Sequence, residues 1–321
     1  MERRRRDPQL VHQPFAHGVT TLADGREMGW ASFGDPDGDP VVWLHGTPGG
    51  RCQLPGAAIA EAEARHLRII GIERPGTGFS TPHTYHRIID HVPDVAAVMD
   101  DLGVDQFAGV GLSGGGPYLL ALAHELPDRL TKGVVLGGIG PTRGADAIIS
   151  HTLALVPAGV VLDKVRAPLG TGLGIALRAL APYGKPFLDA FFVIEWGDRR
   201  AMAADPDSKA QLLADLIDAA RRSGVRSPID DLVLFGRHWG FELGDITVPI
   251  TFWAGTSDPI VPYVHAERQS KRVPGARLRT VSSRGHFAGY TEVHEVFDTI
   301  REHWPAVRPV PSTRKRKAKT A

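Results

Sequence analysis

The chain has one cysteine, Cys52, among its 321 residues. That excludes an internal disulfide and a cysteine-rich zinc site, and it removes the usual mark of oxidising export; a cytoplasmic location is the default expectation. No uninterrupted apolar run reaches the roughly 18 residues that a spanning helix needs, so stable membrane insertion is not expected. The four arginines at 3–6 precede Asp7, Pro8 and Gln9 rather than an apolar stretch, which does not read as a signal peptide. No internal repeat is visible. Nor does one sign of charge dominate: 37 basic and 36 acidic residues give a formal net charge of +1. That balance hides an asymmetry. Residues 1–7 and 310–321 hold nine basic and two acidic groups, which leaves 28 basic and 34 acidic groups, or −6, on the body between them. An acidic body argues against nucleic-acid binding on the fold itself. Residues 1–14 and 305–321 read as disordered basic tails.

What is present fits a soluble globular chain: 42% hydrophobic and 23% charged residues. Apolar runs at 19–22 and 28–33 flank Ala23, Asp24 and Gly25, a hairpin signal. Strand-like runs recur at 41–44, 67–72, 106–112 and 133–136, separated by helical stretches at 55–65, 88–102 and 117–125. This alternation predicts an α/β fold with a mostly parallel central sheet flanked by helices. It stops after Gly140 and Pro141. From 141 to 245 the chain lacks strand punctuation, and 208–222 has amphipathic helical spacing. Strands then resume at 250–254 and 278–281, with helices at 264–271 and 291–304. The reading gives a core of 15–140 and 246–304, interrupted by a helical insertion at 141–245.

Gly111, Leu112, Ser113, Gly114 and Gly115 lie directly after a strand and before a helix, where G-x-S-x-G forms a nucleophile elbow. The serine must occupy a tight turn that lifts its hydroxyl clear, so the positions two residues either side must be small. Gly109, Gly111 and Gly114 also spell the dinucleotide-binding G-x-G-x-x-G. That motif expects an acidic residue at the end of the next strand, but residues 136–140 offer none. The nucleophile reading is therefore preferred.

A serine nucleophile needs a base, and the base needs an orienting acid. His286, in the loop after the strand at 278–281, is the expected base. Asp258, after the strand at 250–254, is the expected acid. Both fall at the sheet edge that carries Ser113. Asp258 has a plainer role available as a turn-former before Pro259, and Asp146 is a less well placed rival. The oxyanion needs two donors: the N–H of Gly114 and, from the loop at 45–50 after the strand at 41–44, the N–H of Thr47. The plain alternative is a glycine-rich turn braced by His45.

Together these residues resemble the α/β-hydrolase fold superfamily, and within it a carboxylesterase-like serine hydrolase with a helical cap. The resemblance spans residues 19–304 and rests on HGTPGG (45–50), ERPGTGFS (73–80), GLSGG (111–115), GTSDPIVP (255–262) and GHF (285–287), in that order. It implies that 141–245 caps the site. Ser113 argues against epoxide hydrolases and haloalkane dehalogenases, which carry Asp at the elbow. Proline iminopeptidases usually carry Trp after the nucleophile, where this chain has Gly114. Carboxylesterases, carbon–carbon bond hydrolases and cofactor-free haloperoxidases fit the same triad. The expected reaction is acyl transfer on a small-molecule ester, with no metal and no cofactor. Apolar stretches at 153–156, 160–162 and 186–196 suggest an apolar pocket, or simply a packed insertion. Two alternatives stand beside the esterase. One is an aminopeptidase in which Glu195 or Asp198 receives a substrate amine; the other is a catalytically silent binding module. Cys52 reads as a small buried side chain.

Overall fold

Eight strands form one sheet in the order β1-β2-β4-β3-β5-β6-β7-β8. They are β1 (Ala16–Thr21), β2 (Glu27–Gly34), β3 (Asp39–Leu44), β4 (Leu67–Ile72), β5 (Phe107–Leu112), β6 (Leu130–Leu136), β7 (Ile250–Gly255) and β8 (Arg277–Val281). Strand β2 runs antiparallel to β1 and β4, and every pairing from β4 to β8 is parallel. This computed structural model describes residues 10–180, 196–220, 226–302 and 304.

The inner parallel strands are largely apolar on both faces, unlike the exposed edge strand β8, and alternate side chains go to opposite layers. Val41, Trp43, Ile69, Ala108 and Val110 pack in one layer; Val42, Leu44, Ile70, Ile72 and Phe107 pack in the other. Helices α1 (Ala58–Ala64), α2 (Val92–Asp101) and α3 (Gly116–Glu125) follow β3, β4 and β5. Between β6 and β7 the chain inserts α4 (Leu155–Leu180), α5 (Arg199–Ala204), α6 (Pro206–Ala220) and α7 (Ser227–Phe235). After β7 come α8 (Val264–Arg272), α9 (Ala288–Thr291) and α10 (Val293–Arg301). Among the described residues no helix is long and apolar enough to cross a membrane.

Three boundaries differ from the sequence reading. The helix expected at 88–102 opens as a 3-10 turn, Ile88–His91, and turns α-helical only at Val92, where Pro93 suits a first turn that needs no N–H donor. The helix expected at 291–304 is split at Glu292, whose backbone (φ −103°, ψ 39°) is not helical. Residues 10–14, expected as part of a tail, are among the described residues. Leu10 is buried against the core, and the His12 N–H donates to Gln211 of α6 at 3.0 Å, because one apolar side chain and one amide find partners there. Residues 1–9 and 305–321 lie outside the described residues.

His91, at the start of α2, is buried edge-on between the rings of Tyr85 and Tyr118, at centroid distances of 5.6 and 5.1 Å. Neither ring nitrogen has a hydrogen-bond partner among the described residues. Burial pushes its pKa down to about 4, so the folded state holds it neutral while the unfolded chain protonates it near 6.5. A depressed folded pKa means stability is complete above about 6.5 and is lost as the pH falls toward 4, at up to about 1.4 kcal/mol per pH unit. His91→Phe removes that loss. Between pH 7 and pH 5 the variant is expected to lose about 2 kcal/mol less than the parent chain in urea unfolding. Equal losses would show that His91 does not titrate as burial dictates.

Candidate active site

Strand β5 delivers Ser113 at its C-terminal end in a left-handed conformation, φ +50°. A non-glycine residue there is unfavourable by about 1–3 kcal/mol, and strain of this kind gathers at functional turns. The neighbouring glycines are set by contact. A Cβ on Gly111 would stand 2.7 Å from the Gly115 carbonyl oxygen, and one on Gly115 would stand 2.2 Å from the Leu44 carbonyl oxygen. On Gly114 it would meet Thr47 Oγ1 at 2.2 Å and Phe235 Cζ at 3.0 Å. On Gly109 it would meet Leu119 of α3 at 2.4 Å. Of the glycines that mimic a dinucleotide motif, Gly111 is thus required by backbone contact within the elbow, while Gly109 and Gly114 face side chains packed against β5 and the turn.

Strand β7 ends at Gly255, and Asp258 follows. Its Oδ1 accepts the N–H groups of Ile260 at 2.8 Å and Val261 at 2.9 Å, while Oδ2 accepts His286 Nδ1 at 2.7 Å. Asp258 therefore forms the turn and orients the histidine, one oxygen for each. The two side chains are 1% and 4% exposed, so their charge-assisted bond is shielded from water. With Nδ1–H given to the carboxylate, Nε2 is left as the basic nitrogen. Gly137, just after β6 with φ +57°, makes room for the His286 ring, since a Cβ there would stand 3.2 Å from His286 Nδ1. Asp146 is engaged elsewhere: it accepts the Leu243 N–H at 2.8 Å and faces Arg272 Nε at 3.4 Å.

After β3, His45 does brace the loop. Its Nδ1–H donates to the Gly46 carbonyl at 2.8 Å, and Nε2 accepts the Arg74 N–H at 3.2 Å. Complete burial beside the Arg74 charge keeps this imidazole neutral, its pKa well below the usual value. Three amides in and just after the loop point inward: Gly46 N–H donates to Gln53 Oε1 at 2.6 Å, and Gly50 and Cys52 N–H donate to the two oxygens of Asp215 at 2.7 and 2.9 Å. The N–H groups of Thr47 and Gly114 belong to none of the described hydrogen bonds. Gly114 lies in the first turn after β5, where an N–H has no partner within its own helix.

Several residues hold this edge together; of them sequence reasoning singled out only Asp198, and for a different role. Arg74 donates to the carbonyls of His45 (2.7 Å) and Gly46 (2.8 Å) and to Asp231 Oδ2 of α7 (2.7 Å). Asp231 also accepts Thr47 Oγ1 at 2.5 Å and the Tyr118 hydroxyl at 2.7 Å. The Arg74–Asp231 pair is buried, at 4% and 2% exposure. On α6, Asp215 caps the loop at Gly50 and Cys52, and burial raises its pKa to about 7. Beside it, Arg51 pairs with Glu73 and, at 2.8 Å, with Asp218. Asp198, just before α5, is wholly buried and accepts from Arg284 Nε at 2.8 Å, Gly285 N–H at 3.1 Å and Phe287 N–H.

Two expectations are corrected here. Asp198 is committed to the loop that carries His286 and does not face outward as a receiver for a substrate amine. In the apolar stretch at 160–162, Val160 and Val161 are 59% and 64% exposed and are not part of the packed core. Glu195 and the apolar stretch 186–195 lie outside the described residues; Trp196, which ends that stretch, is exposed. Cys52 is buried, and burial pushes its thiol well above the usual range, which makes it inert as a nucleophile. Among the described residues, the group spaced to hold an ion is Glu292, His294 and Glu295; Glu292 already pairs with Arg284 at 3.2 Å.

The profile of the alpha/beta hydrolase fold matches residues 39–293. A proline iminopeptidase of Neisseria meningitidis is 33% identical over 147 residues, covering 43% of this chain and 44% of that protein. The 2-hydroxy-6-oxo-2,4-heptadienoate hydrolase of Pseudomonas putida is 33% identical over 153 residues, covering 46% of this chain and 55% of that one. The matches span between 33% and 55% of the length of such curated relatives. Among solved structures, the esterase RhEst1 of Rhodococcus sp. ECU1013 superposes with a TM-score of 0.63 at 19% identity, over 90% of this chain and 98% of that one, a likeness of fold.

Proposed function

Because this chain belongs to the alpha/beta hydrolase fold family, we propose that it is a serine hydrolase that cleaves a carboxylic ester of a small to medium apolar substrate through an acyl-enzyme on Ser113. The observation that carries this reading is the shielded 2.7 Å bond from His286 Nδ1 to Asp258, on the sheet edge where Ser113 stands at φ +50°.

In this mechanism Ser113 Oγ attacks the ester carbonyl while His286 Nε2 takes its proton, general-base help worth roughly 10²–10⁴-fold. Asp258 keeps the proton on Nδ1 and stabilises the imidazolium. The N–H groups of Thr47 and Gly114 hold the oxyanion; one such donor is worth about 3–4 kcal/mol of barrier. The tetrahedral intermediate collapses, the C–O bond to the alcohol breaks, and His286 returns the proton to the leaving oxygen. Water, deprotonated by His286, then releases the acid and restores Ser113. No step calls for a metal or a cofactor. Phe235, against Gly114, supplies an apolar wall beside the oxyanion donors. In this reading residues 141–245 form a helical cap and the enzyme works in the cytoplasm.

The likeness to proline iminopeptidases favours a second reading, an aminopeptidase using the same triad. The commitment of Asp198 to the histidine loop weighs against it. Two measurements on one preparation decide. Fluorophosphonate labelling is expected to modify Ser113 stoichiometrically and to fail in His286→Ala. Short-chain aryl esters are expected to turn over faster than aminoacyl arylamides. The reverse preference would favour the aminopeptidase, and folded protein that takes no label would favour a silent binding module.

A further inference from the structure

His286 is held from two directions. Asp258 grips its ring; the carboxylate of Asp198 grips the backbone on both sides of it, at Gly285 N–H and Phe287 N–H, and takes Arg284 Nε as a third donor. Asp198 belongs to the segment inserted between β6 and β7, whereas Asp258 and His286 follow core strands. The grip is close. A Cβ on Gly197 would stand 2.6 Å from the Gly285 nitrogen, so the inserted chain meets the histidine loop backbone to backbone. On the far side, a Cβ on Gly255 would stand 2.2 Å from the Arg284 carbonyl oxygen. The loop at 284–287 is thus clamped between the end of β7 and the turn at 197–198.

We propose that Asp198 is a positioning residue for His286: the inserted segment, together with the core, sets the direction of the imidazole. The inference rests on the reading of His286 as the base. A carboxylate that accepts two amides and a guanidinium makes charge-assisted bonds, stronger than the neutral bonds of an ordinary turn. Its donors flank the base in sequence, so a shift of Asp198 carries into the imidazole through one peptide unit on either side. A misplacement of about 1 Å in a reacting group can cost 10²-fold in rate. The same contact requires that this part of the insertion stay docked during turnover.

The test is a set of substitutions in the full chain, assayed with a short-chain aryl ester and checked for folding by circular dichroism. Asp198→Ala removes the acceptor for Arg284, Gly285 and Phe287 and is expected to lower kcat about 100-fold with KM within about twofold. Asp198→Asn keeps one acceptor oxygen and is expected to recover part of that loss. Arg284→Gln removes the ion pair but leaves both backbone bonds; it is expected to cost stability while kcat stays within a few-fold. A positioning role thus orders kcat as Arg284→Gln, then Asp198→Asn, then Asp198→Ala. A merely structural role would lower thermal stability in all three without that order. A folded Asp198→Ala with parental kcat would overturn the proposal, and if that variant does not fold, parental kcat in Asp198→Asn would do so. Failure of the underlying reading looks different, since His286→Ala would then match the parent chain in turnover.

Discussion

Ser113→Ala, His286→Ala and Asp258→Asn should each lower kcat for ester hydrolysis by about 10⁴-fold or more, and the double variants should be little worse than the worst single. Non-additivity is the informative part. A serine without its base is a weak nucleophile, and a base without a nucleophile has no proton to take, so removing the second partner removes little that is left. Asp258→Asn is the sharpest of the three. The amide can keep the turn by accepting from Ile260 and Val261 through Oδ1, but at Oδ2 an NH₂ group would face His286 Nδ1. The imidazole must then put its proton on Nε2, the nitrogen that should receive the serine proton. Steady-state kinetics on purified, folded variants check this. Losses that multiply across the doubles would mean that the three residues do not act as one unit.

Arg74→Ala should destabilise the fold by roughly 3–5 kcal/mol and depress activity as well. The substitution strands the Asp231 carboxylate, 2% exposed, without its counter-charge, and it takes the donors from the carbonyls of His45 and Gly46. A buried pair is costly to break from one side, whereas replacing both members with apolar groups is often nearly neutral. Arg74→Met combined with Asp231→Leu should therefore recover much of the stability. It should not recover kcat, because the carbonyls stay unheld and Thr47 Oγ1 loses its acceptor. Urea unfolding and turnover measured on the same samples separate the two effects. Parental stability in Arg74→Ala would show that the pair does not hold the loop.

The contrast between what the sequence discloses and what it hides follows from the range of each interaction. The elbow at 111–115, the turn at Asp258 and the loop at 45–50 are local patterns: a strand run, then glycine or proline, then a chemically able side chain. Period and punctuation place them at strand ends, and a parallel sheet brings those ends to one edge. Arg74 was visible inside a quoted motif, yet nothing local says that its partner is Asp231, 157 positions away. Asp215 and Asp198 sit in a helical stretch rich in Asp and Arg, where a residue destined for burial looks like one bound for solvent. Burial of those carboxylates depends on tertiary contact. The same limit explains Val160 and Val161, apolar in sequence and exposed in the fold.

Three aspartates of the inserted segment grip the sheet edge at separate points: Asp215 at Gly50, Asp231 at Thr47 and Arg74, and Asp198 at Gly285. This has a consequence for making chimaeras. An insertion grafted from a relative would have to present three carboxylates at these three heights, or leave orphaned donors at Gly50, Arg74 and Gly285. Crossovers at the β6 and β7 junctions should therefore yield few folded hybrids. Point changes between the anchors, by contrast, leave the grip intact. This scaffold should tolerate retouching of the insertion better than its exchange.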